Sequence, residues 1–259
     1  MKNKIFIFSL LSILLSVNCS TADVFEGSVS KTGAYNQIID NQTNLPVTGA
    51  KVSLPQKNYT TYTDNNGLFN LDTNISSQSV LSVEKQGYRP YSITINERIA
   101  ANPIVIGIEK SNVQDIIINS EMIHLGDDNF SQASANSNEF RGTAAGPFYS
   151  KTFKMGYDTI KKKNYLVIGS IIGVDTLMAR SMKQNSITNS YSSPPEIYFN
   201  GQKIAEIQLN GDGQKVRLPN NLIRTGLNEI TIRTGKNMQR KDYIDYDDIE
   251  FMNLSVITE

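Results

Sequence analysis

The sequence contains one cysteine, one histidine and no tryptophan among its 259 residues. Cys19 alone cannot form a disulfide bond within the chain. A single histidine, His124, excludes zinc sites built on several histidine or cysteine ligands, and it excludes the two-histidine sites of metallopeptidases. The absence of tryptophan removes the side chain with the largest stacking surface. The available chemistry therefore rests on carboxylates, amides, hydroxyls, tyrosines and one imidazole.

The chain also lacks an excess of charge of either sign, because 25 basic residues balance 25 acidic residues. Without a net field it has no general attraction for nucleic acid or for an acidic membrane surface, and we expect no nucleic-acid partner. The apolar content of 39% is low but sufficient for packed cores. Asparagine, serine and threonine are abundant, which favours strands and turns over helices. We therefore expect an all-β fold.

Residues 1–22 have the organisation of an export signal. Lys2 and Lys4 provide the positive start, and the apolar run over residues 5–17 is too short to span a bilayer. In one processing route, Ser20-Thr21-Ala22 is a small-x-small site that is cleaved to release the mature chain.

Cys19 offers a second processing route, in which it is lipidated. The stretch Leu15-Ser16-Val17-Asn18-Cys19 resembles a bacterial lipoprotein signal, although Ser16 and Asn18 stand where that family usually has leucine and a small residue. The resemblance implies a lipid anchor in a membrane and a location at the outer membrane or cell surface. Simple cleavage implies a periplasmic or secreted protein instead. Both routes take the mature chain out of the cytoplasm.

Residues 23–110 alternate short apolar segments with turn signals, as small β-sandwiches do. Asp64-Asn65-Asn66-Gly67 predicts a tight turn, and residues 68–71 are expected to form the strand that returns from it. Three motifs in this region resemble the carboxypeptidase regulatory-like domain: Pro46-Val47-x-Gly49-Ala50-x-Val52-x-Leu54, Thr63-Asp64-x-x-Gly67-x-Phe69-x-Leu71 and Val83-x-Lys85-x-Gly87-Tyr88. The resemblance implies a transthyretin-like Greek-key sandwich. In that family the domain accompanies a peptidase or another exported protein and is not the catalyst.

Residues 113–259 contain the clearest hairpin signal of the chain. Residues 196–199 and 202–209 alternate apolar and polar side chains on either side of Asn200-Gly201. We also expect a strand at residues 176–181 and a turn at residues 210–213. No flexible proline- or glycine-rich linker separates this region from the preceding one, so the two domains are expected to lie close together.

The order of motifs in residues 113–259 resembles the galactose-binding-domain-like jelly rolls found in many carbohydrate-binding modules. The motifs that carry the resemblance are His124-Leu125-Gly126-Asp127-Asp128-x-Phe130, Ile197-x-x-Asn200-Gly201, Leu218-Pro219-x-x-Leu222-Ile223-x-x-Gly226-x-Asn228-x-Ile230 and Asp247-Asp248-Ile249-Glu250-Phe251. The resemblance implies a second β-sandwich in tandem with the first. It says little about the ligand, because this fold hosts many binders and some structural members.

Two acidic pairs mark the beginning and the end of the second domain, and we predict that they meet. Asp127-Asp128 and Asp247-Asp248 bring like charges close together, which is unfavourable without a compensating partner. Carboxylates are preferred ligands of Ca²⁺, and members of the resembled fold often hold a structural calcium where the first and last strands are neighbours. These four acids are therefore predicted ligands of a structural Ca²⁺. In the alternative interpretation their oxygens accept hydrogen bonds from backbone amides in turns.

Several side chains in predicted loops have the character of a sugar-binding surface. Carbohydrate-binding modules stack a sugar face on an aromatic ring and bond the hydroxyls to amide, carboxylate or guanidinium groups. The residues that we predict for this role are Arg141, Tyr149, Tyr191 and Tyr243. The alternative for each tyrosine is that it covers the edge of a core.

Catalytic patterns are weak. His124 beside Gly126-Asp127-Asp128 is expected to be a hydrogen-bonded structural residue, and no Gly-x-Ser-x-Gly motif is present. Glycosidases need two carboxylates across a substrate, and no spacing selects a pair from Glu121, Glu139, Glu196 and Glu250. We therefore expect a non-catalytic, exported cell-envelope binding protein whose ligand is a glycan. One alternative is a structural or adhesion lipoprotein that contacts other envelope proteins, and a further alternative is a glycoside hydrolase.

Overall fold

The computed structural model describes residues 29–30, 35–130, 134–135, 140, 142–185 and 191–259. The predicted export signal, its Cys19 and the predicted ligand-binding residue Arg141 lie outside this part of the chain. The described residues are almost all in strands and their connections, which confirms the all-β prediction. None of the helices in the described residues is long and apolar enough to cross a membrane.

Residues 29–30 and 35–110 form two packed sheets, here called the N-terminal sandwich. Its strands are β1 (Val29–Ser30), β2 (Gln37–Asp40), β3 (Lys51–Leu54), β4 (Tyr59–Tyr62), β5 (Ser79–Glu84), β6 (Tyr91–Ile95) and β7 (Val105–Ile108), with a short helix α1 (Glu97–Ala100) before β7. The three-stranded sheet has the order β1-β7-β2, and the four-stranded sheet has the order β4-β3-β5-β6. Ile38, Leu54 and Leu81 are among the buried side chains that fill the space between the sheets.

The predicted turn at residues 64–67 is present, and its side chains fix it. The Asp64 carboxylate accepts hydrogen bonds from the backbone N–H groups of Asn66 and Leu68, both at 2.8 Å. Gly67 has φ +70°, and a Cβ at this position would lie 2.5 Å from the carbonyl oxygen of Ile38, so glycine is required. The prediction of a return strand at residues 68–71 was wrong. Leu68 makes one isolated bridge to Gln37, and the chain then continues without regular pairing.

Residues 113–259 form a second pair of sheets, here called the C-terminal sandwich. Its strands are β8 (Ile116–Asn119), β9 (Ile123–Leu125), β10 (Phe148–Met155), β11 (Asn164–Ile172), β12 (Glu196–Phe199), β13 (Gln202–Glu206), β14 (Gly211–Arg217), β15 (Gly226–Arg233) and β16 (Ile249–Thr258), with a helix α2 (Leu177–Ser181) after β11. One sheet has the order β14-β11-β16-β8, with β9 also paired to β16, and the other has the order β10-β15-β12-β13. The predicted hairpin is β12 and β13, joined through Asn200-Gly201.

Two local predictions in this region were wrong. Residues 176–181 form α2 rather than a strand, because the Thr176 hydroxyl accepts a hydrogen bond from the N–H of Ala179 and so caps a helix. Residues 210–213 are not a turn, since β14 begins at Gly211 and Asp212 pairs with Ser170 of β11.

Strand β16 is buried on both faces. Phe251, Leu254 and Val256 face the core of the C-terminal sandwich, whereas Met252 packs against Val80 of β5 in the N-terminal sandwich. The Asn253 amide on the same strand donates to the Ser82 hydroxyl at 3.0 Å. The N-terminal sandwich therefore covers the sheet of the C-terminal sandwich that contains β16.

The carboxylate of Asp212 connects the two sandwiches through hydrogen bonds. It accepts from the Thr94 backbone N–H at 2.9 Å, from the Thr94 hydroxyl at 2.8 Å and from the Ser170 hydroxyl at 2.7 Å. Burial raises the pKa of Asp212 above its ordinary value, and these donors act in the opposite direction. A buried carboxylate needs such partners, because leaving its charge unpaired inside a protein is costly.

Gly169 gives a steric test of this interface. A Cβ at Gly169 would lie 2.5 Å from the Ser92 hydroxyl and 2.6 Å from the Asn253 Cβ. We expect Gly169→Ala to lower the free energy of unfolding by roughly 1–3 kcal/mol, as overpacking does. Urea denaturation of the full chain measures the change. Gly156→Ala is the matched control, because nothing lies within 4 Å of the added Cβ. Equal stability of the two variants would contradict the close contact.

Candidate functional site

The structure brings the two predicted acidic pairs together at one corner of the C-terminal sandwich. Strands β9 and β16 pair antiparallel, with Leu125 opposite Ile249 and His124 opposite Glu250. This register places the turn after β9 beside the residues that enter β16. The Asp127 carboxylate accepts a hydrogen bond from the Tyr246 N–H at 3.0 Å. The corner thus joins the first and last parts of the sandwich.

Asp248 lies at the centre of this corner, with its side chain 1% exposed. Its Oδ1 accepts a hydrogen bond from the Asp128 N–H at 2.9 Å and lies 3.1 Å from Nε2 of His124. Its Oδ2 is buried and has no hydrogen-bond partner in the described part of the chain. Gly126, at φ +148°, leaves the space for this carboxylate, because a Cβ there would lie 2.2 Å from Oδ1. Most buried carboxylate oxygens accept at least one hydrogen bond, so this atom is unusual among the described residues.

His124 is oriented by the main chain. Its Nδ1 lies 2.6 Å from the carbonyl oxygen of Gly142, and a carbonyl only accepts, so Nδ1 carries a proton. In the neutral ring Nε2 would then point a lone pair at the carboxylate oxygen of Asp248. That contact is favourable only when Nε2 is also protonated or when a cation lies between the two atoms. The Phe140 ring packs on the imidazole at a centroid distance of 4.8 Å and shields this pair.

The electrostatics of the corner favour the charged form of His124. Burial alone lowers the pKa of His124, but the hydrogen bonds to Asp248 and to the Gly142 carbonyl raise it, and the charge of Glu250 acts in the same direction. The net effect is a pKa above the ordinary value of 6.5. His124 is therefore a hydrogen-bonded residue of this corner, and its protonated form carries a positive charge next to Asp248.

Three of the side chains at this corner converge on one point. Ligand atoms of His124, Asp128 and Asp248 all lie within 4.8 Å of one another. Asp128 has φ +60°, and its exposed carboxylate accepts hydrogen bonds from the Ala144 N–H at 3.0 Å and 3.2 Å. One imidazole nitrogen with two carboxylates suits a transition ion such as Zn²⁺ or Mn²⁺. Ca²⁺ would need six to eight oxygen ligands.

Asp247 and Asp127 have other partners. The Asp247 carboxylate accepts from the Asp175 N–H at 3.2 Å, and burial together with the neighbouring Asp175 charge raises the pKa of Asp247 well above its ordinary value. Asp175 itself accepts from the Ser134 hydroxyl at 2.7 Å. Asp127 accepts from the Asn129 N–H and from the Tyr246 N–H, as a turn cap does. The four predicted calcium ligands thus do not share one set of contacts.

Tyr243 stands at the surface beside this corner. It is 43% exposed, and its hydroxyl accepts a hydrogen bond from the Asn129 amide at 3.1 Å. The Arg240 guanidinium lies over the ring at 4.9 Å from its centroid. Asn129 also donates to Asp245 at 3.2 Å. An exposed aromatic ring is therefore surrounded by an amide, a guanidinium and a carboxylate.

The other predicted tyrosines are placed differently. Tyr191 is half-buried, with the Arg180 guanidinium 5.6 Å from its ring centroid. Tyr149 packs edge-on against Phe251 at 5.9 Å, and its hydroxyl accepts from the Asn119 amide at 3.1 Å. Tyr149 therefore belongs to the wall of the core rather than to an open surface.

Two of the carboxylates considered for hydrolysis are engaged with other partners. Glu196 lies in an ion pair with Lys203 at 2.6 Å, and Glu250 is 1% exposed and accepts from the Gln56 amide at 3.3 Å. Glu121 is exposed, and Glu139 lies outside the described residues.

Sequence reasoning missed the pairing of His124 with Asp248 and the contact of Asn129 with Tyr243. Both follow from the β9–β16 register. Only a correct pairing of β9 with β16 would have revealed them, because the partners are more than a hundred residues apart in the sequence.

Comparison with known proteins identifies one family. Residues 36–117 match the model of the CarboxypepD_reg-like domain. The match covers the N-terminal sandwich from residue 36 onward, without β1, and ends at the second residue of β8. The predicted likeness of this region to carboxypeptidase regulatory-like domains is therefore confirmed. No curated protein matches the chain significantly.

The pKa of His124 is directly measurable, because His124 is the chain's only histidine. We expect its NMR titration in EDTA to have a midpoint above 6.5. A raised folded-state pKa stabilises the fold fully below the unfolded pKa, and this contribution is lost as pH rises through the folded pKa. The free energy of unfolding of wild type should therefore decline as pH rises from the unfolded pKa through the folded pKa of His124. The His124→Gln variant should lack this decline. A midpoint below 6.5 would contradict the pairing with Asp248.

Proposed function

We propose that this chain is an exported, non-catalytic cell-envelope protein that binds a glycan through its C-terminal sandwich, a jelly roll of the galactose-binding type. The observation that carries the proposal is the exposed Tyr243 ring, with Asn129 bonded to its hydroxyl and Arg240 over one face, which leaves the other face for a sugar. A sugar presents an apolar face and a rim of hydroxyls. An exposed ring bordered by amide, guanidinium and carboxylate groups complements both parts.

The side chains around Tyr243 are held in place by hydrogen bonds, which also favours binding. Asn129 follows Asp128, whose N–H is held by the buried Asp248, and Asp245 is fixed by the Asn237 amide at 3.0 Å. Side chains that are held before a ligand arrives lose little conformational freedom on binding, which favours affinity.

A panel of neutral tetrasaccharides of glucose, galactose, mannose, xylose or N-acetylglucosamine tests this proposal. In amide NMR titrations we expect one of them to shift the signals of Asn129 and Arg240. Tyr243→Ala should weaken binding at this surface about tenfold, the effect of losing roughly 1.4 kcal/mol of stacking energy. Tyr157→Ala is the matched control, since Tyr157 is 68% exposed and lies in the connection between β10 and β11. Shifts that are identical in the Tyr243→Ala protein would refute the proposal.

We also propose that a divalent cation bound by His124, Asp128 and Asp248 closes the corner of the C-terminal sandwich. Three features support it: the partnerless Oδ2 of Asp248, the fixed Nδ1 proton of His124, and the convergence of the three side chains. Orientation of a ligating imidazole by a backbone carbonyl is usual at metal sites. The cation would take the place of the proton on Nε2, and its role would be structural.

Thermal unfolding with Zn²⁺, Mn²⁺, Ca²⁺ or EDTA tests the cation proposal. An ion that binds only the folded chain stabilises it by about 2.7 kcal/mol at a hundred times its Kd. We expect Zn²⁺ or Mn²⁺ to raise the melting temperature more than Ca²⁺, and Asp248→Asn to abolish the response. Asp158→Asn, a change of an exposed acid far from the corner, should keep it. Equal melting temperatures in all four solutions would contradict the proposal. They would indicate that a proton, and not a cation, mediates the contact of Nε2 with Asp248.

A second candidate function is assembly with other envelope proteins. It is favoured by an exposed apolar patch made of Leu177, Met178 and Met182 on and after α2 together with Met238. Bridges from Thr176 to Ser192 and from Ser192 to Asn237 place these segments side by side. Absence of any shift with the whole tetrasaccharide panel would favour this second candidate over glycan binding.

A further inference from the structure

The N-terminal sandwich contains a groove of its own, with a volume of about 510 Å³. Three segments line it: the two residues before β2, the end of β4 with the turn and chain that follow, and the chain that leaves α1. Tyr35 and Tyr62 are 67% and 63% exposed. The groove lies in the sandwich for which sequence analysis predicted no binding site, and no residue of it belongs to the corner around Asp248.

Hydrogen bonds hold the three walls in fixed relation. The Asn36 side-chain oxygen accepts from the Ile104 N–H at 2.9 Å, and the Asn36 carbonyl accepts from the Phe69 N–H at 3.1 Å. The Tyr59 hydroxyl donates to the Asn70 carbonyl at 2.8 Å. The Asn102 amide donates to the Arg98 carbonyl at 3.1 Å and fixes the end of α1. The groove is therefore built before any ligand enters it.

Three exposed residues that line the groove carry polar groups available to a ligand. The side-chain amide of Asn70 and the hydroxyls of Tyr35 and Tyr62 have no hydrogen-bond partner in the described part of the chain. They supply both donors and acceptors. Phe69 is buried at the base of the groove, and the two exposed tyrosine rings add flat apolar surface.

The charge of the lining limits the class of ligand. No lysine or arginine lines the groove, and its one charged residue is Asp64, which faces the groove at the turn after β4. Phosphate, sulfate or carboxylate ligands would meet no compensating cation there. A neutral ligand with an apolar face and many hydroxyls matches tyrosine rings, amides and hydroxyls, which is the chemistry of a neutral saccharide.

An extended peptide is a poorer match. Such a peptide would add to the free edge of β4, which offers only the four residues Tyr59–Tyr62. Peptides that bind by strand addition depend on a row of main-chain hydrogen bonds along the edge. The side-chain amides and hydroxyls of the groove would contribute little to that mode.

We propose that this groove is a second glycan-binding site, selective for neutral saccharides, in the N-terminal sandwich. Tyr62 and Tyr35 stack on the sugar, and Asn70 bonds to its hydroxyls. The site extends the proposed glycan-binding function to the other half of the chain but does not depend on Tyr243, so the two sites are testable separately.

The test uses the full chain and the same panel of neutral tetrasaccharides, followed through the amide NMR signals of residues 61–70 and 101–102. In the Tyr243→Ala protein, a tetrasaccharide is expected to shift these signals still. Adding Tyr62→Ala should weaken that binding about tenfold or more, as loss of a stacking ring does, and Asn70→Ala should weaken it as well. Tyr157→Ala again serves as the control and should leave it unchanged.

Each result has a defined meaning. Shifts at Asn129 and Arg240 without shifts at residues 61–70 would overturn the groove proposal and leave the C-terminal site intact. Shifts at residues 61–70 that survive Tyr62→Ala and Asn70→Ala would also overturn it. Shifts that disappear in those variants but persist in Tyr243→Ala would establish the groove on its own. A strand-forming pentapeptide that shifts residues 61–70 when no tetrasaccharide does would overturn it in favour of peptide binding.

Discussion

The buried carboxylate of Asp248 is the constraint on which the C-terminal sandwich depends. It accepts a hydrogen bond from the Asp128 N–H and faces Nε2 of His124. It therefore connects the turn after β9 to the residues that enter β16. Gly126 is required for it to fit. The same turn carries Asn129 to the Tyr243 hydroxyl. The proposed binding surface is thus a consequence of the way the first and last strands of this sandwich are joined.

A second constraint acts across the molecule. Strand β16 has no solvent-exposed face, because Met252 and Asn253 contact β5 of the N-terminal sandwich. Asp212 on β14 adds a buried hydrogen-bonded link to Thr94 on β6. Close packing of this kind resists relative movement of the two sandwiches. The N-terminal sandwich therefore serves both as the cover of a neighbouring sheet and as the frame of its own groove.

The sequence predicted those features that local chemistry determines. Asn200-Gly201 between alternating strands identified the β12–β13 hairpin, and Gly67 identified a turn. It failed where partners are distant. Asp212 looked like a turn residue because its partner Thr94 lies more than a hundred residues away. The helix α2 is a different case, since its cap is local but consists of a single threonine. The burial of β16 on both faces depends on contacts with β5, which only the assembled structure shows.

The central claim is that this protein binds glycans without cleaving them, on a surface marked by Tyr243. A crystal structure of the protein soaked with a tetrasaccharide that shifts its NMR signals tests this claim most directly. We predict an intact tetrasaccharide with a sugar ring stacked on Tyr243 and hydroxyls bonded to Asn129 or Arg240. A cleaved tetrasaccharide, or one that leaves the Tyr243 surface empty, would contradict it.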